Sequence, residues 1–108
     1  SVVQHRLAAT RAGTFDLNSA CAGFVTACDV ASKYIRADDH YRNVLVVGAY
    51  AMSKWLNMDD YKIASLFADG AGAAVIQAND NSTTDKPSGF LASTMHSEGR
   101  YHDSMGIY

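Results

Sequence analysis

The stretch Asp16-Leu17-Asn18-Ser19-Ala20-Cys21-Ala22-Gly23-Phe24 decides how this chain is read. On its N-terminal side, Thr14-Phe15-Asp16-Leu17 has the short alternation of a brief strand. On its C-terminal side, Phe24, Ala27, Cys28, Ala31, Tyr34 and Ile35 recur at helical spacing, opposite polar Thr26, Asp29, Lys33 and Arg36. That pattern predicts an amphipathic helix from Ala20 to Arg36, with Asn18 or Ser19 as its N-cap. A polar connector, residues 37–42, leads into Asn43-Val44-Leu45-Val46-Val47-Gly48-Ala49. A continuous β-branched run ended by glycine is the pattern of a strand covered on both faces within a parallel sheet. Strand, helix and strand in this order predict a βαβ unit with a right-handed crossover.

Working outward, residues 1–10 read as the end of a short helix, with Gly13 breaking the chain before the first strand. Residues 50–63 are mixed, and Trp55, Asn57, Asp59 and Asp60 suggest a functional loop or a short helix. The Asp69-Gly70 pair predicts a tight turn into a strand over Ala71 to Ala78. Asn79 to Ser88 has the composition of a surface loop, and Gly89 to Met95 reads as a further strand. The last ten residues, Gly99 to Tyr108, end without a closing element. The expectation is a single partial domain over residues 1–108, a piece of something larger.

Composition narrows the field. The chain has 108 residues, 48% hydrophobic and 19% charged, which predicts a globular core rather than disorder. A net charge of -2 without a basic block argues against nucleic acid as a partner. No apolar run approaches the ~20 residues of a membrane span, and the N-terminus lacks the apolar core of a secretory signal. On one helix, Cys21 and Cys28 would stand about 10 Å apart along the axis, beyond the roughly 7 Å limit for a bridge. Two free thiols and a reducing, cytoplasmic location are therefore expected.

A thiol attacks an acyl group as thiolate, and a free cysteine ionises only near pH ~8.5. The first turn of a helix offers unpaired N–H groups and roughly half a unit of positive charge to stabilise the anion. Cys21 falls where the short strand gives way to the helix, and Ala20, Ala22 and Gly23 leave room for a substrate. Its backbone N–H is a candidate donor to a developing oxyanion. Position alone leaves two readings open, since cysteine is also among the most buried residue types. Cys28, on the apolar face, reads as core.

Three blocks in order carry a family resemblance. The segment Asp16 to Phe24 resembles the active-site segment of the β-ketoacyl-acyl-carrier-protein synthase III family. Val44-Leu45-Val46-Val47-Gly48-Ala49 resembles the strand that follows the cysteine helix, and Leu66-Phe67-Ala68-Asp69-Gly70-Ala71-Gly72-Ala73-Ala74-Val75 the family's glycine-rich block. His96-Ser97-Glu98-Gly99 resembles a segment a little beyond it. The resemblance implies an α/β, thiolase-like fold of βαβ units with a mixed, mainly parallel sheet and a buried helix bearing the nucleophile. This chain would be the later part of its N-terminal half.

The resemblance also implies a reaction, in which Cys21 accepts a short acyl group from acyl-CoA. A malonyl group on acyl carrier protein then decarboxylates and attacks the thioester, initiating fatty-acid synthesis. Acyl-CoA is a substrate, so no cofactor is implied, and the resembling enzymes are homodimers. The histidine and asparagine that stabilise charge in the condensation belong to the second half of such enzymes, so this chain alone is not expected to complete it. Met52 and Phe67 match positions that line the acyl pocket. Tyr61 stands where the pattern often has an arginine stacked on the adenine of coenzyme A; a tyrosine ring stacks but brings no cation. None of His5, His40, His96 and His102 lies in a family-like histidine motif, and no metal is indicated. Two alternatives are a cysteine hydrolase, for which Ala20-Cys21-Ala22 lacks the glycine elbow, and a folded, non-catalytic fragment with a reactive thiol.

Overall fold

A computed structural model describes residues 1–79 and 89–104. The described elements are a short helix α1 (Val2–Arg6), a 3₁₀ turn at Ala20–Ala22 and the long helix α2 (Gly23–Ala37). Strand β1 (Asn43–Tyr50), a 3₁₀ turn at Met52–Lys54, helix α3 (Tyr61–Ala64), strand β2 (Gly70–Gln77) and a final 3₁₀ turn at Gly99–Tyr101 follow. The chain is thus mixed α/β. Ser1 caps α1, its side chain accepting from the Gln4 N–H at 3.2 Å.

β1 and β2 form a two-stranded antiparallel sheet, paired from Asn43↔Gln77 to Tyr50↔Gly70. The parallel βαβ unit expected from the sequence is not what the described residues build. Phe15 instead leans on Tyr34 of α2 with ring centroids 6.2 Å apart, and Thr14 to Leu17 runs unpaired beside the helix. Gly89 to Met95 is likewise no strand; its Phe90 carbonyl accepts from Arg36 and its Ser93 hydroxyl donates to Asp29. The loop expected over Asn79 to Ser88 falls, Asn79 aside, outside the described residues.

Nor is β1 covered on both faces. Side chains alternate along a strand, and register puts Val44, Val46 and Gly48 beside Ile76, Ala74 and Gly72 on the face toward α2. Leu45, Val47 and Val75, on the other face, are 46%, 43% and 63% exposed. Among the described residues, Ala31 of α2 and Val46 of β1 are the buried hydrophobic ones, joined by buried polar Asp29 and Ser32. α2 is therefore half-buried, not enclosed.

One close approach fixes helix against sheet. The Phe24 ring lies over Gly48, where any Cβ would come 3.0 Å from Phe24 Cδ2. Since α2 runs back along β1, this contact sets the start of the helix near the Tyr50 end of the strand.

Candidate active site

Cys21 occupies the middle of the 3₁₀ turn Ala20–Ala22 and is exposed. The turn arises locally. Asn18 Oδ1 accepts from the Ala20 N–H at 3.0 Å, and the Ala22 N–H donates to the Ser19 carbonyl at 3.1 Å. Ala20 adopts φ 44°, the left-handed region that costs an L-residue about 1–2 kcal/mol. The Gly23 N–H continues the turn by donating to the Ala20 carbonyl, and α2 begins there. Ser19 stands at the N-cap of the 3₁₀ turn without a side-chain cap, and α2 starts behind Ala22 with none either, so neither Asn18 nor Ser19 caps the long helix as the sequence suggests. Cys21 thus stands just outside the long helix rather than within it. Cys21 and Cys28 are both free thiols, and Cys28 is half-buried.

Phe24 on Gly48 brings Cys21, three residues earlier, to the Tyr50 end of the sheet. The long connection between β1 and β2 leaves and returns at that same end. Met52 opens its first 3₁₀ turn and is half-buried. Phe67 is also half-buried, its ring centroid 6.5 Å from that of Tyr50. Tyr61 begins α3, behind an Asp60 cap that accepts from the Lys62 N–H at 3.1 Å, and is 74% exposed. Cys21, Met52 and Phe67 therefore share one end of the fold, while Tyr61 projects into solvent.

A clamp that the sequence reading passed over draws this connection together. Asp69, read only as half of a turn, accepts from the Ser53 N–H at 2.8 Å and from the Ser53 hydroxyl. The two Ser53 hydrogen bonds hold its carboxyl below the usual range, with smaller help from the Met52 backbone and the Lys54 charge. The clamp pins Met52, beside Ser53, against the Phe67–Asp69 stretch.

A second polar cluster lies on α2. Asp29, buried, accepts from Lys33 Nζ and from Ser93 Oγ, and Lys33 Nζ also donates to Ser93 Oγ at 3.1 Å. The Lys33 bond first and the Ser93 bond second hold the Asp29 carboxyl below its ordinary value. Arg36 donates to the Phe90 carbonyl. No group of three or more His, Cys, Asp or Glu is gathered to hold a metal ion among the described residues. Among those residues, too, no helix is long and apolar enough to cross a membrane.

Fold and site together define a mixed α/β protein that presents an exposed thiol on a strained turn at the mouth of its main helix. The family model described as 3-Oxoacyl-[acyl-carrier-protein (ACP)] synthase III matches residues 15–99. A Beta-ketoacyl-[acyl-carrier-protein] synthase III of Acaryochloris marina is 44% identical over 105 residues, covering 97% of this chain and 30% of the relative. Proteins of the same name from Ehrlichia canis and Clostridioides difficile are 39% and 40% identical, over 95% and 98% of this chain and 31% and 30% of their own length. No solved structure matches. The chain belongs to the 3-oxoacyl-acyl-carrier-protein synthase III family, and it spans about a third of the length of the curated relatives it matches.

Proposed function

We propose that Cys21 is the acyl-accepting nucleophile of a condensing enzyme of fatty-acid synthesis. The observation that carries this reading is the exposed Cys21 on its 3₁₀ turn, inside the family-matched stretch and at the end of the fold shared with Met52 and Phe67. In the first half-reaction the thiolate attacks the carbonyl of acyl-CoA. The carbon–sulfur bond to coenzyme A breaks, and the acyl group stays on Cys21 as a thioester. In the second, malonyl-acyl carrier protein loses carbon dioxide and its α-carbon attacks that thioester, returning Cys21 to the thiolate.

On this reading residues 1–108 are the later part of the first half of a thiolase-like domain. An antiparallel β1–β2 pair is compatible with a mixed sheet, where an antiparallel edge strand often joins parallel ones. The outward faces of Leu45, Val47 and Val75 are then surfaces for the rest of the domain. Met52 and Phe67 line the acyl pocket. Tyr61, exposed, meets the coenzyme A nucleotide by stacking, without the charge an arginine would bring. The parent enzyme works as a cytoplasmic homodimer with no cofactor, and the charge-stabilising histidine and asparagine of the condensation are not supplied by these residues.

The test is incubation of the chain with acetyl-CoA, read by intact mass. A single acetyl adduct is expected, absent in Cys21→Ala and retained in Cys28→Ala. An adduct that persists in Cys21→Ala would remove Cys21 from this role, whereas no adduct on this chain while the full-length parent acylates would favour the non-catalytic fragment.

A further inference from the structure

On the reading of Cys21 as acyl acceptor, with Met52 and Phe67 as its pocket wall, we propose that Ser53 and Asp69 are positioning residues that set acyl-chain selectivity. They do so by fixing how far Met52 stands from Phe67. Strand pairing stops at Tyr50↔Gly70, so Asp69, adjacent to that last pair, is placed by the sheet. Phe67, just before it, keeps its ring against that of Tyr50. Met52 lies beyond the strand, at the head of the 3₁₀ turn Met52–Lys54, where no ladder holds it. The Ser53 N–H donates to Asp69 Oδ1 at 2.8 Å and the Ser53 hydroxyl to Oδ2. Among the described residues, the hydrogen bonds that join this turn to the Phe67–Asp69 stretch all end on that carboxylate.

The turn and the clamp are separable. The Trp55 and Leu56 N–H groups donate to the Met52 carbonyl at 2.9 and 3.1 Å, bonds that do not involve Asp69. Without the clamp the turn therefore keeps its shape and shifts as a unit, carrying Met52 away from Phe67. Two charge-assisted bonds from neighbouring atoms of Ser53 to one carboxylate fix orientation as well as distance. An apolar pocket reads chain length by its depth, one methylene being worth roughly 10–200-fold in discrimination. A misplacement of about 1 Å, arising away from the reacting atoms, is enough to be felt. Clamped, the wall favours short acyl groups; released, it admits longer ones. Cys21 sits on a separate turn built from Asn18 and Ser19, so its thiol is untouched.

The test is single-turnover acylation of the full-length parent enzyme by acetyl-CoA and by hexanoyl-CoA, read by intact mass. The two rates give a selectivity ratio, and alkylation by iodoacetamide, too small to need the pocket, reports on the thiol. Ser53→Ala, which loses one bond, is expected to raise the hexanoyl-to-acetyl ratio several-fold, and Asp69→Ala, which loses both, to raise it further. Iodoacetamide is expected to react at the wild-type rate in each. Ser53→Thr keeps the hydroxyl and is expected to keep the wild-type ratio. An unchanged ratio in both alanine variants would overturn the proposal. So would an equal loss of rate with both acyl-CoAs, which is what general destabilisation produces. Ser53→Ala guards against misfolding, because Ser53 lies outside both strands and α2 and gives up a single side-chain bond. An acyl adduct that persists in Cys21→Ala is a separate failure, that of the nucleophile on which the clamp acts.

Discussion

At the scale of single residues, two positions next to the candidate site depend on geometry that no pattern displays. Ala20 takes φ 44° although it is not glycine, and it does so directly before Cys21. Backbone strain of this kind persists only where its surroundings over-determine it. Here Asn18 and Ser19 do so by bonding into the turn. Asp69 is the other case. Its carboxyl is held below its ordinary value of 3.8, first by the Ser53 hydroxyl and then by the Ser53 N–H. A lowered carboxylate pKa in the folded state stabilises the fold above the unfolded pKa, and that contribution is lost as pH falls through the folded value. The Ser53–Asp69 clamp should therefore persist at pH 4 and open only below it. Carbon-detected NMR of the Asp69 carboxyl should titrate with a midpoint below 3.8, and Ser53→Ala should move it back up. A wild-type midpoint at or above that value would contradict the clamp.

At the scale of elements, the long helix is readable from its period, and the strands from a continuous apolar run and from the Asp69-Gly70 turn. The 3.6-residue pattern of Phe24, Ala27, Cys28, Ala31 and Ile35 predicts α2, and β-branched Val44 to Val47 predicts β1. What a strand pairs with is not local information. The run Val44-Leu45-Val46-Val47 looks enclosed on both sides, yet only the Val44–Val46–Gly48 face meets α2. The short segments fail for a related reason. Thr14 to Leu17 and Gly89 to Met95 have strand-like composition, but neither is a strand: Phe15 meets the Tyr34 ring, and Ser93 donates to Asp29. Of the candidate site, Cys21 was readable from a resemblance over several residues, whereas Ser53 and Asp69, distant in sequence, were not.

The Gly48–Phe24 contact gives this element packing a test. Glycine inside a strand costs roughly 0.5–1 kcal/mol relative to alanine. Phe24 is 41% exposed, so its ring has room to yield to a single methyl group. Gly48→Ala should thus be near neutral in chemical unfolding. Gly48→Val adds volume the ring cannot clear and should cost about 1–3 kcal/mol, as overpacking does. Phe24→Leu should recover part of that loss. If Gly48→Val is as stable as the wild type, the ring does not set the approach of α2 to β1.

At the scale of the whole molecule, area decides what these elements can do alone. A compact monomer of 11.6 kDa would expose about 5,800 Å², and this chain exposes 9542 Å². Its radius of gyration is 17.5 Å, against roughly 13 Å for a compact domain of this length. The excess is apolar in part: Leu66, Val75, Trp55 and Phe15 are all more than half exposed. With Ala31 and Val46 as the buried hydrophobic residues among those described, the chain offsets little of the conformational entropy lost on folding. The 108-residue chain by itself should therefore bind the dye ANS and show a shallow thermal transition. Its calorimetric enthalpy should fall well short of the ~0.7 kcal/mol per residue of a packed domain. A sharp two-state transition with the full enthalpy and no dye binding would mean that the sheet's outer face is satisfied without any further element.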